Sequence, residues 1–179
     1  MAIARQTFTS TPWVSATVVR AIDGSTFDIA LHDIKDPDIP PSILSRWRSQ
    51  ELSDAPALRV RLIGVKAPSL YAHDGALFES GVQSLNFISD LLYNKKIELQ
   101  FDTNIWDSDE VILAYARIPG SSQSVQSMLL RSGMVYAERE KDYSLREEFI
   151  ALEEEARREG RGVWAHVPSR LTASSVYPL

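Results

Sequence analysis

Apolar positions recur with a period of two in some stretches of the chain and of three to four in others. Val14 to Ile22 is rich in β-branched residues and runs into Asp23-Gly24. Thr26 to Leu31 then resumes an extended pattern, and the pair predicts a β-hairpin. Leu58, Val60 and Leu62 alternate with Arg59, Arg61 and Ile63, as expected of a strand with one apolar face. Ile97 to Phe101 alternates in the same way, while residues 111–118 read as a more fully buried strand. Helical spacing appears at Phe78, Val82, Leu85, Ile88 and Leu92, and again from Val125 to Ser132, where Gly133 stands in the position helix C-termini favour. The last predicted helix opens on a capping box, Ser144-x-x-Glu147. It buries Leu145, Phe149, Leu152 and Ala156, and closes at Gly160.

Between the second and third strands lies a segment of different character, residues 32–57. Pro37, Pro40 and Pro41 end the strand, and Ser42 to Leu52 can form a short helix with Ile43 and Trp47 on one face. The order β-β-insert-β-α-β-β-α-short β-α places the chain in the α+β class. It suits a five-stranded, partly open barrel of the oligonucleotide-binding type with three packed α-helices. The expected organisation is an N-terminal tail over residues 1–13, one domain over 14–165 carrying the 32–57 insertion, and a C-terminal tail over 166–179.

Composition narrows the chemistry. There is no cysteine, which removes disulfides, thiolate catalysis and thiolate metal sites and agrees with an intracellular reducing compartment. No apolar run reaches membrane-spanning length, so no membrane partner is expected. A net charge of −5 opposes broad phosphate binding, which relies on several Lys or Arg contacts. The first 22 residues hold Arg5, Arg20, several Ser and Thr and no acid. An organelle-targeting segment and a plain tail both fit that composition. His32, His73 and His166 are dispersed and make no metal-ligand pattern.

Six stretches carry a more specific signal: VVRAIDGST, VRLIGVKAPS, LLYNKKIELQF, LAYARI, SMLLRSGM and ALEEEARREGRGVWA. In this order and spacing, from Val14 to Trp164, they resemble the staphylococcal nuclease family, including the repeated domains of Tudor-SN proteins. The resemblance implies the same barrel with three helices. It also implies, for active members, hydrolysis of DNA and RNA phosphodiester bonds with one Ca²⁺: carboxylates hold the ion, a glutamate handles the attacking water, and two arginines neutralise the phosphate.

Carried over position by position, most of that machinery is replaced. The family's Asp-Gly-Asp-Thr is Asp23-Gly24-Ser25-Thr26 here, with Ser25 at a calcium-ligand position. In the second signature Arg61 matches the first phosphate-binding arginine, Lys66 replaces the second calcium carboxylate, and Ser69 replaces the catalytic glutamate. Val111 stands where the second arginine belongs. No catalytic residue and no calcium or other cofactor is therefore expected, because loss of metal, base and one arginine removes most of the catalytic terms. A metal-dependent nuclease acting through a rearranged site, built from Asp23, Asp28, Asp107 or Asp109, is the alternative.

What such a domain can still do is bind. Lys66 beside Arg61 places two cations where metal and phosphate would sit, a pair suited to phosphate contact. Tyr136, Arg139, Lys141 and Tyr143 fall near the family's aromatic nucleotide-site positions and complete a candidate RNA surface. In the insert, Ile43, Leu44 and Trp47 either dock a protein partner or cover the barrel wall. The expected role is a binding or scaffold subunit whose partner is a protein in a larger assembly, single-stranded RNA, or both.

Overall fold

The computed structural model describes residues 12–32, 36–50 and 57–165. The first hairpin forms as the pattern predicts, from β1 (Val14–Asp23) and β2 (Thr26–Leu31), with Asp23 opposite Thr26 across the Gly24-Ser25 turn. The insert contributes α1 (Pro41–Ser49), shorter than expected; residue 52, its expected end, lies outside the described residues. Then come β3 (Leu58–Leu62), β4 (Val65–Lys66), α2 (Glu79–Leu92), β5 (Lys96–Trp106) and β6 (Ile112–Arg117). The chain continues through α3 (Val125–Arg131), β7 (Tyr136–Ala137), α4 (Arg146–Arg158) and a 3-10 turn, Gly162–Trp164.

β1, β2, β3, β6 and β5 close into a barrel in that order, whereas the element pattern suggests a partly open one. β3 and β6 run parallel, with Arg61 level with Leu113, and the remaining neighbours are antiparallel. Closure removes the sheet edges that an open barrel would leave unpaired. The core follows the inward positions of each strand, among them Val14, Ala16 and Val18 of β1 and Leu58, Val60 and Leu62 of β3. β4 and β7 form a separate two-stranded sheet, with Lys66 opposite Tyr136, that the sequence pattern does not predict for β4.

Two helix features differ from expectation. The buried stripe of α2 is Gly81, Ser84, Ile88 and Leu92 rather than one beginning at Phe78, which lies exposed at the helix start. Small residues are required on that stripe because the backbone of neighbouring loops comes close. A Cβ on Gly81 would lie 2.2 Å from the Ser69 carbonyl oxygen, and one on Gly24 would lie 1.7 Å from Ser84 Oγ. The capping box of α4 does not form either: the helix begins at Arg146, with Leu145 at its N-cap and no side-chain cap. Ser144 turns instead toward the hydroxyl of Tyr115, a core tyrosine whose pKa burial pushes up to about 12. The predicted helix stops hold, since Gly133 and Gly160 both take left-handed backbone (φ 67° and 64°).

α1 is seated on the barrel. Ile43 and Trp47 are buried within the hydrophobic core, and Leu44 is partly buried against it. These three residues thus belong to the body of the domain and are not presented as an exposed docking loop. Among the described residues, no helix is long and apolar enough to cross a membrane.

Candidate functional site

A cleft of about 1090 Å³ opens beside the first hairpin turn, between β3, the 65–71 segment, the 102–104 stretch of β5 and the chain after β7. It gathers Ser25, Arg61, Lys66, Ser69, Lys141 and Tyr143, six of the positions singled out in the sequence. A second groove of about 770 Å³ shares Lys66 and Ser69 with it and is lined further by Tyr136 and Arg139. Val111 lines neither. It is buried just ahead of β6, where its N–H donates to Asp107 Oδ1 at 2.9 Å.

The hairpin turn places Ser25 at the cleft wall. Its backbone N–H and its hydroxyl both donate to Asp23 Oδ1, at 2.7 and 3.0 Å. Ser25 is therefore engaged with its neighbour, and Asp23 has one oxygen already doubly used. Ser69, in the position of the family's glutamate, donates its hydroxyl to the Tyr71 carbonyl at 2.8 Å. It holds the loop in place, and a neutral hydroxyl so engaged is no base for water.

Both Arg61 and Lys66 are held by acids. Arg61 points outward from β3 and donates to Asp107, with Asp109 Oδ2 at 3.6 Å. Asp107 is fixed in turn, because its other oxygen accepts the N–H groups of Asp109 and Val111. Lys66 Nζ lies 3.2 Å from Glu138 Oε1 and 3.3 Å from Glu140 Oε2. Partial burial disfavours the ammonium, but the two glutamates outweigh that effect and raise its pKa above the usual lysine value. Asp107 and Asp109, candidates for a rebuilt metal site, serve here as counter-ions. Glu138 and Glu140 are functional neighbours that the sequence reading misses. Their signal lies in the mixed-sign run EREKDY, but which charge faces the cleft depends on the β4–β7 pairing.

The expected nucleotide-contact residues have packing roles. Arg139 donates to the buried Glu153, whose other oxygen accepts the Ala137 N–H at 2.9 Å. Tyr136 stands edge-on to Trp164 with ring centres 5.4 Å apart. Tyr143 donates its hydroxyl to the Glu138 carbonyl at 2.9 Å and packs on Phe149 at 5.7 Å, and burial pushes its pKa up. Lys141 lines the cleft beside Asp142. His32 is hydrogen-bonded to Thr17 Oγ1 at 2.7 Å, His73 sits in an exposed turn, and His166 lies outside the described residues.

This donor set does not fit a resident calcium ion. Calcium takes several oxygen ligands, usually with anionic charge. Here one candidate position carries an ammonium, another a hydroxyl turned to Asp23, and the nearby Glu138 is spent on Lys66. Among the described residues, no three His, Asp or Glu side chains converge as a metal-binding group.

Outside the cleft, a second arginine cluster stabilises the barrel. Asp28, buried on β2, accepts from Arg20 Nε at 2.7 Å and from Arg59 Nε at 2.9 Å, a row across β1, β2 and β3.

The family model described as "Staphylococcal nuclease homologue" matches residues 59–166, from β3 through the 3-10 turn. No curated protein matches the chain.

Proposed function

The chain belongs to the staphylococcal nuclease homologue family, and from that membership we propose that it is a non-hydrolysing member that works as a binding or scaffold subunit. The observation that carries this reading is the pairing of Arg61 and Lys66 with two carboxylates each, Arg61 with Asp107 and Asp109, and Lys66 with Glu138 and Glu140. Phosphodiester hydrolysis needs positive charge free to meet the phosphate as charge develops, together with a group that activates water. In this cleft those two cations are already neutralised, and the hydroxyl of Ser69 stands in the place of the base. The uncatalysed reaction is very slow, so residual binding alone does not amount to turnover.

A protein ligand fits this cleft better than nucleic acid does. Single-stranded RNA is held by cationic grooves with exposed aromatic platforms. Beyond the paired charges, the lining adds Asp23, Asp102 and Asp142 against one further cation, Lys141. Contact of RNA phosphate with Arg61 and Lys66 would require displacing their carboxylates first.

The test is incubation of the full chain with single-stranded RNA and DNA in the presence of Ca²⁺, Mg²⁺ or Mn²⁺, alongside Arg61→Ala. No cleavage is expected with any ion. Metal-dependent cleavage abolished by Arg61→Ala would establish the alternative, a nuclease with a rearranged site.

A further inference from the structure

Of the five exposed large apolar side chains among the described residues, three lie within eight positions: Tyr71, Leu77 and Phe78, at 61%, 60% and 47% exposure. They sit on one loop between β4 and α2, and that loop is rigidly built. Tyr71 and Leu77 pair as a β-bridge, the Ala72 N–H donates to the Ala76 carbonyl at 2.8 Å, and the Phe78 N–H donates to the Leu70 carbonyl at 3.0 Å. Ser69 ties the base of the loop through the Tyr71 carbonyl, and Gly81 lets it rest directly on α2. A loop held this firmly has already met its ordering cost, yet it turns its large apolar groups outward. Such patches mark interaction surfaces.

Phe78 also forms one wall of the 770 Å³ groove, whose floor is apolar through Ala67, Pro68, Tyr136 and Ala137. The rim is acidic. Glu138 and Glu140 share the single ammonium of Lys66, Glu140 is 81% exposed at its side chain, and Arg139, which also lines the groove, is paired with the buried Glu153. Glu79 follows Phe78 at the start of α2.

We propose that this groove and the 71–78 loop bind an extended segment of a partner protein that carries a large apolar side chain next to an arginine or lysine. The proposal rests on the reading of the domain as a non-hydrolysing binding module and names its partner's chemistry. The apolar side chain enters against Phe78, and the basic one meets Glu140, whose share of Lys66 leaves it with uncompensated charge. Exposed aromatics could also stack bases, but a nucleic acid strand would bring its phosphates against this acidic rim. A second copy of the chain would bring two acidic rims together.

Selection from a random peptide library displayed on phage, against the immobilised full chain, tests this directly. Enriched peptides are expected to carry an apolar or aromatic residue close to Arg or Lys. A synthetic peptide from that pool should lose about tenfold or more in affinity on Phe78→Ser or Tyr71→Ser, as expected when a central apolar contact is removed. Glu140→Lys should shift a repeated selection toward peptides lacking basic residues. No enrichment, enrichment of acidic peptides, or binding indifferent to Phe78→Ser, Tyr71→Ser and Glu140→Lys overturns the proposal. So does competition by an oligouridylate at the same surface, or a dimer of the chain that Phe78→Ser dissociates. The cleavage assay separates the two readings: a chain that neither cleaves nor selects peptides loses only this inference, whereas cleavage removes the reading beneath it.

Discussion

Both the backbone N–H and the hydroxyl of Ser25 are directed at a single oxygen of Asp23, at 2.7 and 3.0 Å. The first hairpin turn thus satisfies itself without an ion. In the family pattern an acid stands at this position, and two adjacent acids need a cation between them. Serine removes the need for one while keeping the turn closed. Ser25→Asp should therefore lower stability at neutral pH, since like charges a few ångströms apart cost up to about 4 kcal/mol at an effective dielectric near 20. Repulsion raises the folded pKa of the new pair above its unfolded value, so the penalty should vanish as pH falls below the unfolded value. Ca²⁺ should not restore the melting temperature of Ser25→Asp, because the Lys66 ammonium remains. Adding Lys66→Asp should make melting calcium-dependent. A calcium-induced rise in Ser25→Asp alone would show that Lys66 does not guard the position.

Asp28 gives the barrel a pH dependence of definite sign. Burial opposes its charge, but Arg59 and Arg20 outweigh burial and hold the carboxyl below its ordinary value of 3.8. The unfolded chain takes up its proton at higher pH than the folded one, so this stabilisation is complete above the unfolded value. It fades as pH drops through the folded value. Asp28→Asn should cost roughly 1.5–3 kcal/mol at neutral pH, the range for hydrogen bonds to charged groups. The lower end is expected because both arginines keep much solvent contact. Urea unfolding at neutral pH and at about pH 3 should show the gap between variant and wild type closing.

Gly24 is constrained by contact. It is not among the residues with positive φ, and what excludes a side chain is Ser84 on α2, whose Oγ is bonded to the Met134 carbonyl at 2.6 Å. Gly24→Ala should destabilise by about 1–3 kcal/mol, the usual cost of overpacking. Ser84→Gly in the same chain should recover part of that loss. Chemical denaturation of the single and double variants measures it.

The same turn indicates how far the sequence can be followed. Strands and helix stops are legible because they depend on local period and on Gly133 and Gly160, which act within one turn of chain. The replaced family positions are legible because each is an identity in one place. Ser25, Ser69 and Val111 bond to neighbours two to four residues away, but what Lys66 and the retained Arg61 do is hidden, since it depends on partners distant in sequence. Lys66 meets Glu138 and Glu140 through the β4–β7 pairing, and Arg61 meets Asp107 because β3 pairs with β6, beside the turn that carries this acid. Ser84 does not stand out on α2 because a small polar residue breaks an apolar stripe, yet that position needs smallness. Phe78 falls in the same stripe by its spacing, and only the arrangement of the preceding loop shows that it faces outward.

Trp47 lies inside the core, and α1 is continuous with the barrel. Trp47→Ala should cost about 3–5 kcal/mol, as expected for a large buried aromatic. Ile43→Ala should cost about 2–5 kcal/mol by the same mechanism. Both would be seen as lower urea midpoints with an unchanged slope. A Trp47→Ala chain of native stability that had lost a partner would return the insert to the role of docking loop.

The charge balance of the cleft can be altered without disturbing its packing. Asp109 and Glu140 are the exposed members of the two acid pairs, at 69% and 81%. Substituting Asp109→Asn and Glu140→Gln together should leave stability within about 0.5 kcal/mol, as is usual for surface positions. It removes one counter-ion from Arg61 and one from Lys66. Binding of a labelled single-stranded oligonucleotide should then rise at low salt. Its dependence on salt should steepen by about 0.7 in the log–log slope for each further phosphate that the freed cations neutralise. Fluorescence anisotropy at low and physiological salt reads both quantities. If the wild-type chain already binds the oligonucleotide and the double variant binds it no more tightly, these acids do not neutralise the cations. Arg61 and Lys66 would then be free to hold a phosphate as they stand, and the preference for a protein ligand over RNA would lose its main support.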